Sequence, residues 1–210
     1  MWDLIWPGEC RVCEAPVAGI LCHECGPLGI YRINRRITGI ETAITSAPYS
    51  APVGNAVKLA KYSRNRPLAA VLAKRFADQV SPILQNAPFN AIVPVPSHWR
   101  KRWHRGFEIS ALLAIELASV ARRPVVHGLK STGASNQAGI AGHQRHTTAM
   151  SRFRSRCIWR GGAVLLVDDV LTTGSTAEAC AQELLGSGVS RVFLATLCAA
   201  RPSETSVQIL

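Results

Sequence analysis

Two adjacent carboxylates, Asp168 and Asp169, end an apolar run from Val164 to Val167 and are followed by Thr172, Thr173, Gly174, Ser175 and Thr176. Four uninterrupted apolar residues fit a parallel strand buried on both faces. Ala177, Cys180, Ala181, Leu184 and Leu185 then recur at helical spacing, so the segment predicts strand, turn, helix. Such a turn offers unpaired helical N–H groups and hydroxyls to a phosphate. Carboxylates at a strand end can accept hydrogen bonds from neighbouring sugar hydroxyls, where open α/β sheets hold ligands. The expected ligand is ribose 5-phosphate in some form. The same pattern would arise if Asp-Asp merely ended a strand and Ser175 capped the next helix. Neither G-x-x-x-x-G-K-[ST] nor G-x-G-x-x-G occurs, so no other phosphate fingerprint competes.

Cys10, Cys13, Cys22 and Cys25 form C-x2-C-x8-C-x2-C, two chelating pairs able to complete a tetrahedral zinc site. Met1 to Cys10 carries Asp3, Pro7 and Glu9 where a secretory signal needs a basic start and an apolar core. Zinc is therefore favoured over disulfides, and a cytoplasmic location is expected. His23 lies within the second pair and could replace a cysteine. No run of 18 apolar residues occurs, so no membrane insertion is expected.

The net charge of +11 is concentrated: residues 97–160 hold 12 Lys or Arg against Glu108 and Glu116. That placement implies a polyanionic ligand, pyrophosphate groups or a nucleic acid backbone, or else a solvated basic face. Trp99, Trp103 and Phe107 interleave with Arg100, Lys101, Arg102, His104 and Arg105, a mixture suited to single-stranded DNA or to aromatic packing.

The elements that position these groups follow from periodicity. A strand is expected within Ile40 to Tyr49, helices over Pro52 to Tyr62 and Pro67 to Val80, and a first core strand over Ala91 to Val95 ended by Pro94 and Pro96. A helix over Glu108 to Ala121 carries Ile109, Leu112, Leu113, Leu117 and Val120 at spacings of three and four. Further strands are expected over Pro124 to Leu129, Gly162 to Asp168 and Arg191 to Ala199, with a mobile loop over Lys130 to Gln144. Alternating strands and helices argue for a parallel, doubly wound α/β sheet.

The segment from Val164 to Thr176 resembles the phosphoribosyl pyrophosphate signature of type I phosphoribosyltransferases. Ile92 to Arg102 followed by Arg105-Gly106-Phe107, together with the cysteine cluster, is similar to the ComF family, which is linked to DNA uptake in competent bacteria. The resemblance implies a phosphoribosyltransferase-like core at 88–200, a hood at 31–87, a zinc knuckle at 1–30 and a tail at 201–210. It implies phosphoribosyl pyrophosphate with magnesium as ligand. Asp168 and Asp169 would bind the ribose and Thr172 to Thr176 the 5-phosphate. Ser97, Arg100, Lys101, Arg102 and Arg105 would meet the pyrophosphate, and Arg145 would close from a flexible loop. Lys61-Tyr62 resembles a Lys-Tyr pair that precedes the core in this family. Two departures stand out: many relatives carry Asn-Gln where this chain has Glu108-Ile109, and Asn where it has Thr148.

The resemblance implies a phosphoribosyltransferase-type protein working in DNA uptake, with single-stranded DNA and DNA-uptake proteins as candidate partners. Nucleobase salvage and a non-catalytic single-stranded DNA adaptor are the alternatives, and no base-binding motif names an acceptor.

Overall fold

In a computed structural model of the chain, residues 8–26, 29–85, 87–98, 103–132 and 152–200 are described. Strands β1 (Tyr31–Arg32), β2 (Thr42–Thr45), β3 (Ala91–Pro94), β6 (Ala163–Leu171) and β7 (Arg191–Ala199) form a five-stranded sheet in the order β1-β2-β7-β6-β3. All neighbours run parallel except β1, which is antiparallel to β2. Helices α1 (Val53–Tyr62), α2 (Arg66–Leu84) and α3 (Ile109–Ala121) lie on one face, and α4 (Ser175–Gly186) lies on the other. This is the helix-flanked α/β class that the alternation predicts.

Side-chain alternation builds the two cores. Leu165 and Val167 of β6 point to the α1–α3 side, whereas Val164 and Leu166 point to α4. With both faces covered, β6 must be apolar at every position up to Val167. Phe76, Leu68 and Leu72 of α2 meet Leu113 and Leu117 of α3 in the first core, all fully buried. Each such side chain stabilises the fold by about 1.5–3 kcal/mol.

Local chemistry sets the boundaries. The Asn65 side chain accepts from Leu68 N–H at 3.0 Å and starts α2, with a proline in its first turn. β3 is an edge strand: Pro94 lacks an N–H, Val95 N–H still donates to Val167 O at 2.9 Å, and Pro96 then leaves the ladder.

Two expectations need correction. The stretch Pro124 to Leu129 is not one strand. Val125 only bridges Ile92, and the chain then turns so that β4 (Leu129–Ser131) pairs antiparallel with β5 (Phe153–Ser155). Gly128 O accepts from Arg156 N–H at 2.7 Å at that corner, a long-range pairing that local periodicity does not report. β6 also runs past Asp168 to Leu171, because β7 continues beside it as far as Ala199. The loop expected over Lys130 to Gln144 falls mostly outside the described residues.

The cysteine segment is joined to this core. Cys10, Leu21 and Cys25 belong to the same buried cluster as α1, α2 and α3. Arg75 of α2 donates to the carbonyls of Leu21 (2.9 Å), Cys22 (3.2 Å) and Gly26 (3.2 Å). A Cβ on Gly26 would lie 2.0 Å from Arg75 Nη1, so the guanidinium occupies the space a side chain would need.

Candidate functional site

Pairing between β3 and β6 stops at Val167, whereas pairing between β6 and β7 continues through Asp168 to Leu171. The Asp pair therefore sits where one neighbour has left the strand and the sheet opens. A cavity of about 190 Å³ occupies this opening, lined by Asp168, Asp169, Thr176, Ser97, His98, Arg105, Lys61, Arg152 and Ser131 among others. Ser97, Arg105, Asp168, Asp169 and Thr176 thus converge although they lie up to 79 positions apart along the chain.

The two carboxylates are in different electrostatic states. Asp169 Oδ1 accepts from Lys61 Nζ at 2.8 Å, and both side chains are mostly buried, at 17% and 15% exposure. Among the described residues Asp168 has no such ion pair; its Oδ1 accepts from Asp169 N–H at 2.8 Å. Burial, and then the charge of Asp169, push the Asp168 carboxyl up to about 8, against smaller opposing effects of the Asp169 N–H and Lys61. Beneath the pair, burial drives the Cys198 thiol up to about 12, and its S–H donates to Asp169 O at 3.6 Å.

The turn after β6 presents hydroxyls and helical N–H groups at one place. Gly174 has φ of +88°, a left-handed conformation open to glycine, and it reverses the chain into α4. Ser175 N–H donates to Thr173 Oγ1 at 3.4 Å, and the two hydroxyls are 3.1 Å apart. The first N–H groups of α4 have no intrahelical acceptors, and the helix dipole adds to them.

On the opposite wall, Ser97 N–H donates to Glu108 Oε1 at 2.8 Å, and Ser110 Oγ donates to Val95 O at 2.7 Å. Glu108, one of the departures from the ComF pattern, therefore pins the loop that carries Ser97. Arg100, Lys101, Arg102, Trp99, Arg145 and Thr148 lie outside the described residues.

The cysteine tetrad is brought together as its spacing requires. The four Sγ atoms lie within 4.8 Å of one another, and the Cys25 N–H donates to Cys22 Sγ at 3.3 Å. Burial opposes ionisation of Cys10, but backbone N–H groups of Cys22, Cys13 and Val12 outweigh it and bring the thiol down to about 6. A set of four thiols, one of them readily a thiolate, is placed to hold a metal ion such as zinc. His23 is 93% exposed and faces Glu24, so it does not join the set.

Comparison with known proteins adds to this geometry. Residues 104–208, half of the chain, match the model of the phosphoribosyl transferase domain. The chain belongs to that family. It is 27% identical to the DNA utilization protein YhgH of Salmonella typhi over 230 residues, covering 91% of this chain and 97% of the relative. Competence protein F of Haemophilus influenzae is 31% identical over 109 residues, 49% of this chain and 47% of that one. These relatives bear out the ComF resemblance. Among solved structures, the glutamine phosphoribosylpyrophosphate amidotransferase of B. subtilis overlays with a TM-score of 0.44 at 18% identity, over 62% of this chain and 26% of that one.

Within this phosphoribosyl transferase domain protein, the structure adds cavity residues that motif reading passed over. Arg152, immediately before β5 and with its guanidinium 6.0 Å from the Phe153 ring centroid, lines the same cavity as the Asp pair, and His98 and Ser131 line it as well. Nothing local marks Arg152, because only the antiparallel β4–β5 pairing carries it to the site. Trp103 is 85% exposed, whereas Phe107 is half-buried against the α1–α3 core. Among the described residues no helix is long and apolar enough to cross a membrane.

Proposed function

We propose that the chain is a ComF-like phosphoribosyltransferase-type protein that binds phosphoribosyl pyrophosphate with magnesium and acts in DNA uptake. The observation that carries the reading is the convergence of Asp168, Asp169 and Thr176 with Ser97 and Arg105 around one opening at the strand ends. The Thr172–Thr176 turn holds the 5-phosphate and the Asp pair takes the ribose hydroxyls. Ser97, Arg105 and the segment with Arg100, Lys101 and Arg102 face the pyrophosphate, and Arg145 closes over it.

Transfer to an acceptor breaks the bond between C1 and pyrophosphate, leaving positive charge on the sugar and negative charge on the leaving group. Preorganised charge supplies most of the stabilisation for such a step. Asp169, held by Lys61, is a fixed anion below the ring, and Arg105 and Arg152 supply cations on the leaving-group side. One carboxylate is already countered by Lys61 and the other resists ionisation, so they form no ready-made cation cage. Magnesium would be carried by pyrophosphate oxygens and water. Zinc on Cys10, Cys13, Cys22 and Cys25 is structural, since four thiolates leave no open position.

The names of the relatives, a DNA utilization protein and a competence protein, support the role in DNA uptake. A cytoplasmic location suits that role. A second reading, single-stranded DNA binding, is favoured by one observation: Trp103 projects into solvent two residues before Arg105, available for stacking beside a phosphate contact.

Calorimetry with phosphoribosyl pyrophosphate and magnesium tests the ligand. Asp168→Asn/Asp169→Asn should keep the fold and weaken binding by at least about 10-fold, since a hydrogen bond to the ionised Asp169 is worth about 1.5–3 kcal/mol. Equal affinity in the folded double variant would remove the assignment. Pyrophosphate release with candidate acceptors then tests turnover.

A further inference from the structure

β1 ends at Arg32 and the loop after it carries Arg35 and Arg36; the three arginines line a cavity of about 470 Å³ with Ile33, Ile37 and Glu41 among others. Ile33 and Ile37 are buried and anchor the loop, while Arg32, Arg35 and Arg36 are exposed. The nearby carboxylate, Glu41, is turned to Arg191 at 3.6 Å. Among the described residues, neither Arg35 nor Arg36 has a carboxylate partner. A cluster of guanidinium groups repels itself, and its complement is an anion.

Arg35 joins this cavity to the phosphate turn. Its Nη2 donates to Thr172 O and lies 3.5 Å from the position a Cβ on Gly174 would take, with Ile37 packed at the same distance. One hydrogen bond leaves the other guanidinium donors for a ligand. None of the three arginines lines the cavity at the Asp pair. The order along the surface is therefore carboxylates, phosphate turn, arginines. A lone sugar phosphate would use the first two and leave the third idle.

We propose that the turn and the Arg32–Arg36 cluster form a track for the 3′ end of a single-stranded polynucleotide. This rests on the sugar phosphate reading of the 168–176 segment. The 3′-terminal sugar hydroxyl meets Asp168 and Asp169, its 5′-phosphate sits in the Thr172–Thr176 turn, and the preceding phosphates pass over Arg35 and Arg36. The polarity follows from charge: a phosphodiester at the 3′ position would be forced against the Asp169 carboxylate, whereas a 5′-ward chain runs onto cations.

The test uses the full-length, zinc-loaded protein and an oligo(dT) of about twelve nucleotides, within the reach of a single-strand site. Fluorescence anisotropy should show binding at least about 10-fold tighter for the 3′-hydroxyl than for the 3′-phosphate oligonucleotide. Arg36→Gln, which leaves the Arg35 contact to the turn in place, should weaken the 3′-hydroxyl form several-fold and reduce its log–log salt slope by roughly 0.7, the value for one single-strand phosphate contact. Phosphoribosyl pyrophosphate affinity, read by calorimetry, should stay within about twofold, which also shows that the variant is folded. Equal binding of the two oligonucleotides, or an unchanged affinity and slope in the variant while phosphoribosyl pyrophosphate still binds, overturns the track alone. Failure of the wild-type protein to bind phosphoribosyl pyrophosphate removes the underlying reading and the track with it.

Discussion

Helices α1 and α2 each send one cation to a neighbouring region, and the two contacts differ in kind. Arg75 of α2 spreads its planar fork over three carbonyls of the cysteine segment, all neutral groups at distances of 2.9–3.2 Å. Lys61 of α1 places a point charge on a single carboxylate oxygen of Asp169, beside a second carboxyl that has no such cation. The fork satisfies several fixed acceptors at once and gains rigidity, as a guanidinium does best. The ammonium stabilises one charge and leaves the rest of the opening free for a ligand. The cysteine end of this arrangement is closed by saturation, and the Asp end is kept polar and incompletely satisfied, as a ligand-binding opening would be.

If the cysteine segment is closed by metal, removing ligands there should produce the largest loss. Cys10→Ser/Cys13→Ser should abolish bound zinc and destabilise the protein by more than about 4 kcal/mol, the range in which metal loss falls. Metal analysis with thermal unfolding measures both, and an unchanged transition in a metal-free variant would break the contrast between the two ends.

Next comes the pair of cations. Arg75→Lys should cost about 1–3 kcal/mol in unfolding free energy, because an ammonium cannot reach three carbonyls in the fork geometry. It should leave phosphoribosyl pyrophosphate binding unaltered. Lys61→Met should do the reverse in emphasis, costing about 1–3 kcal/mol of stability through an uncompensated, mostly buried carboxylate and changing ligand affinity as well. Denaturant unfolding alongside calorimetry separates the two; equal effects of both variants on ligand binding would erase the distinction.

Taken per pH unit, the smallest expected effect is a slope of stability against pH. Burial and then the Asp169 charge raise the Asp168 carboxyl from its ordinary 3.8 to about 8 in the folded chain. Between those limits the folded state binds more protons than the unfolded state, so this group's contribution is complete on the acidic side and is lost as pH rises through about 8. The slope cannot exceed about 1.4 kcal/mol per pH unit, the value for one proton. Asp168→Asn should flatten it, as read from unfolding curves between pH 5 and pH 9 at fixed salt, where the pH limits are set about the cited value.

Much of the site was legible because its parts are contiguous. The apolar run, the Asp pair and the Thr-Thr-Gly-Ser-Thr turn announce themselves in thirteen consecutive residues, and the two Cys-x2-Cys pairs announce a metal ligand set by spacing alone. Helices α1, α2 and α3 were legible through their apolar stripes. The β4–β5 pairing was not, because its strands are three residues each and their partners lie more than twenty positions apart. Arg152 stayed hidden for the same reason.

The sequence by itself determined which groups could bind phosphate, sugar and metal, since donor chemistry and short spacings are properties of the local chain. Only the tertiary structure decided how those groups are charged and which cations accompany them. Lys61 reaches Asp169 across 108 positions and Arg35 reaches Thr172 across 137. Burial and the neighbouring Asp169 charge raise the Asp168 carboxyl, and Arg75 ties the cysteine segment to α2. Desolvation and Coulomb interaction depend on distance in space, which the order of residues along a chain does not contain.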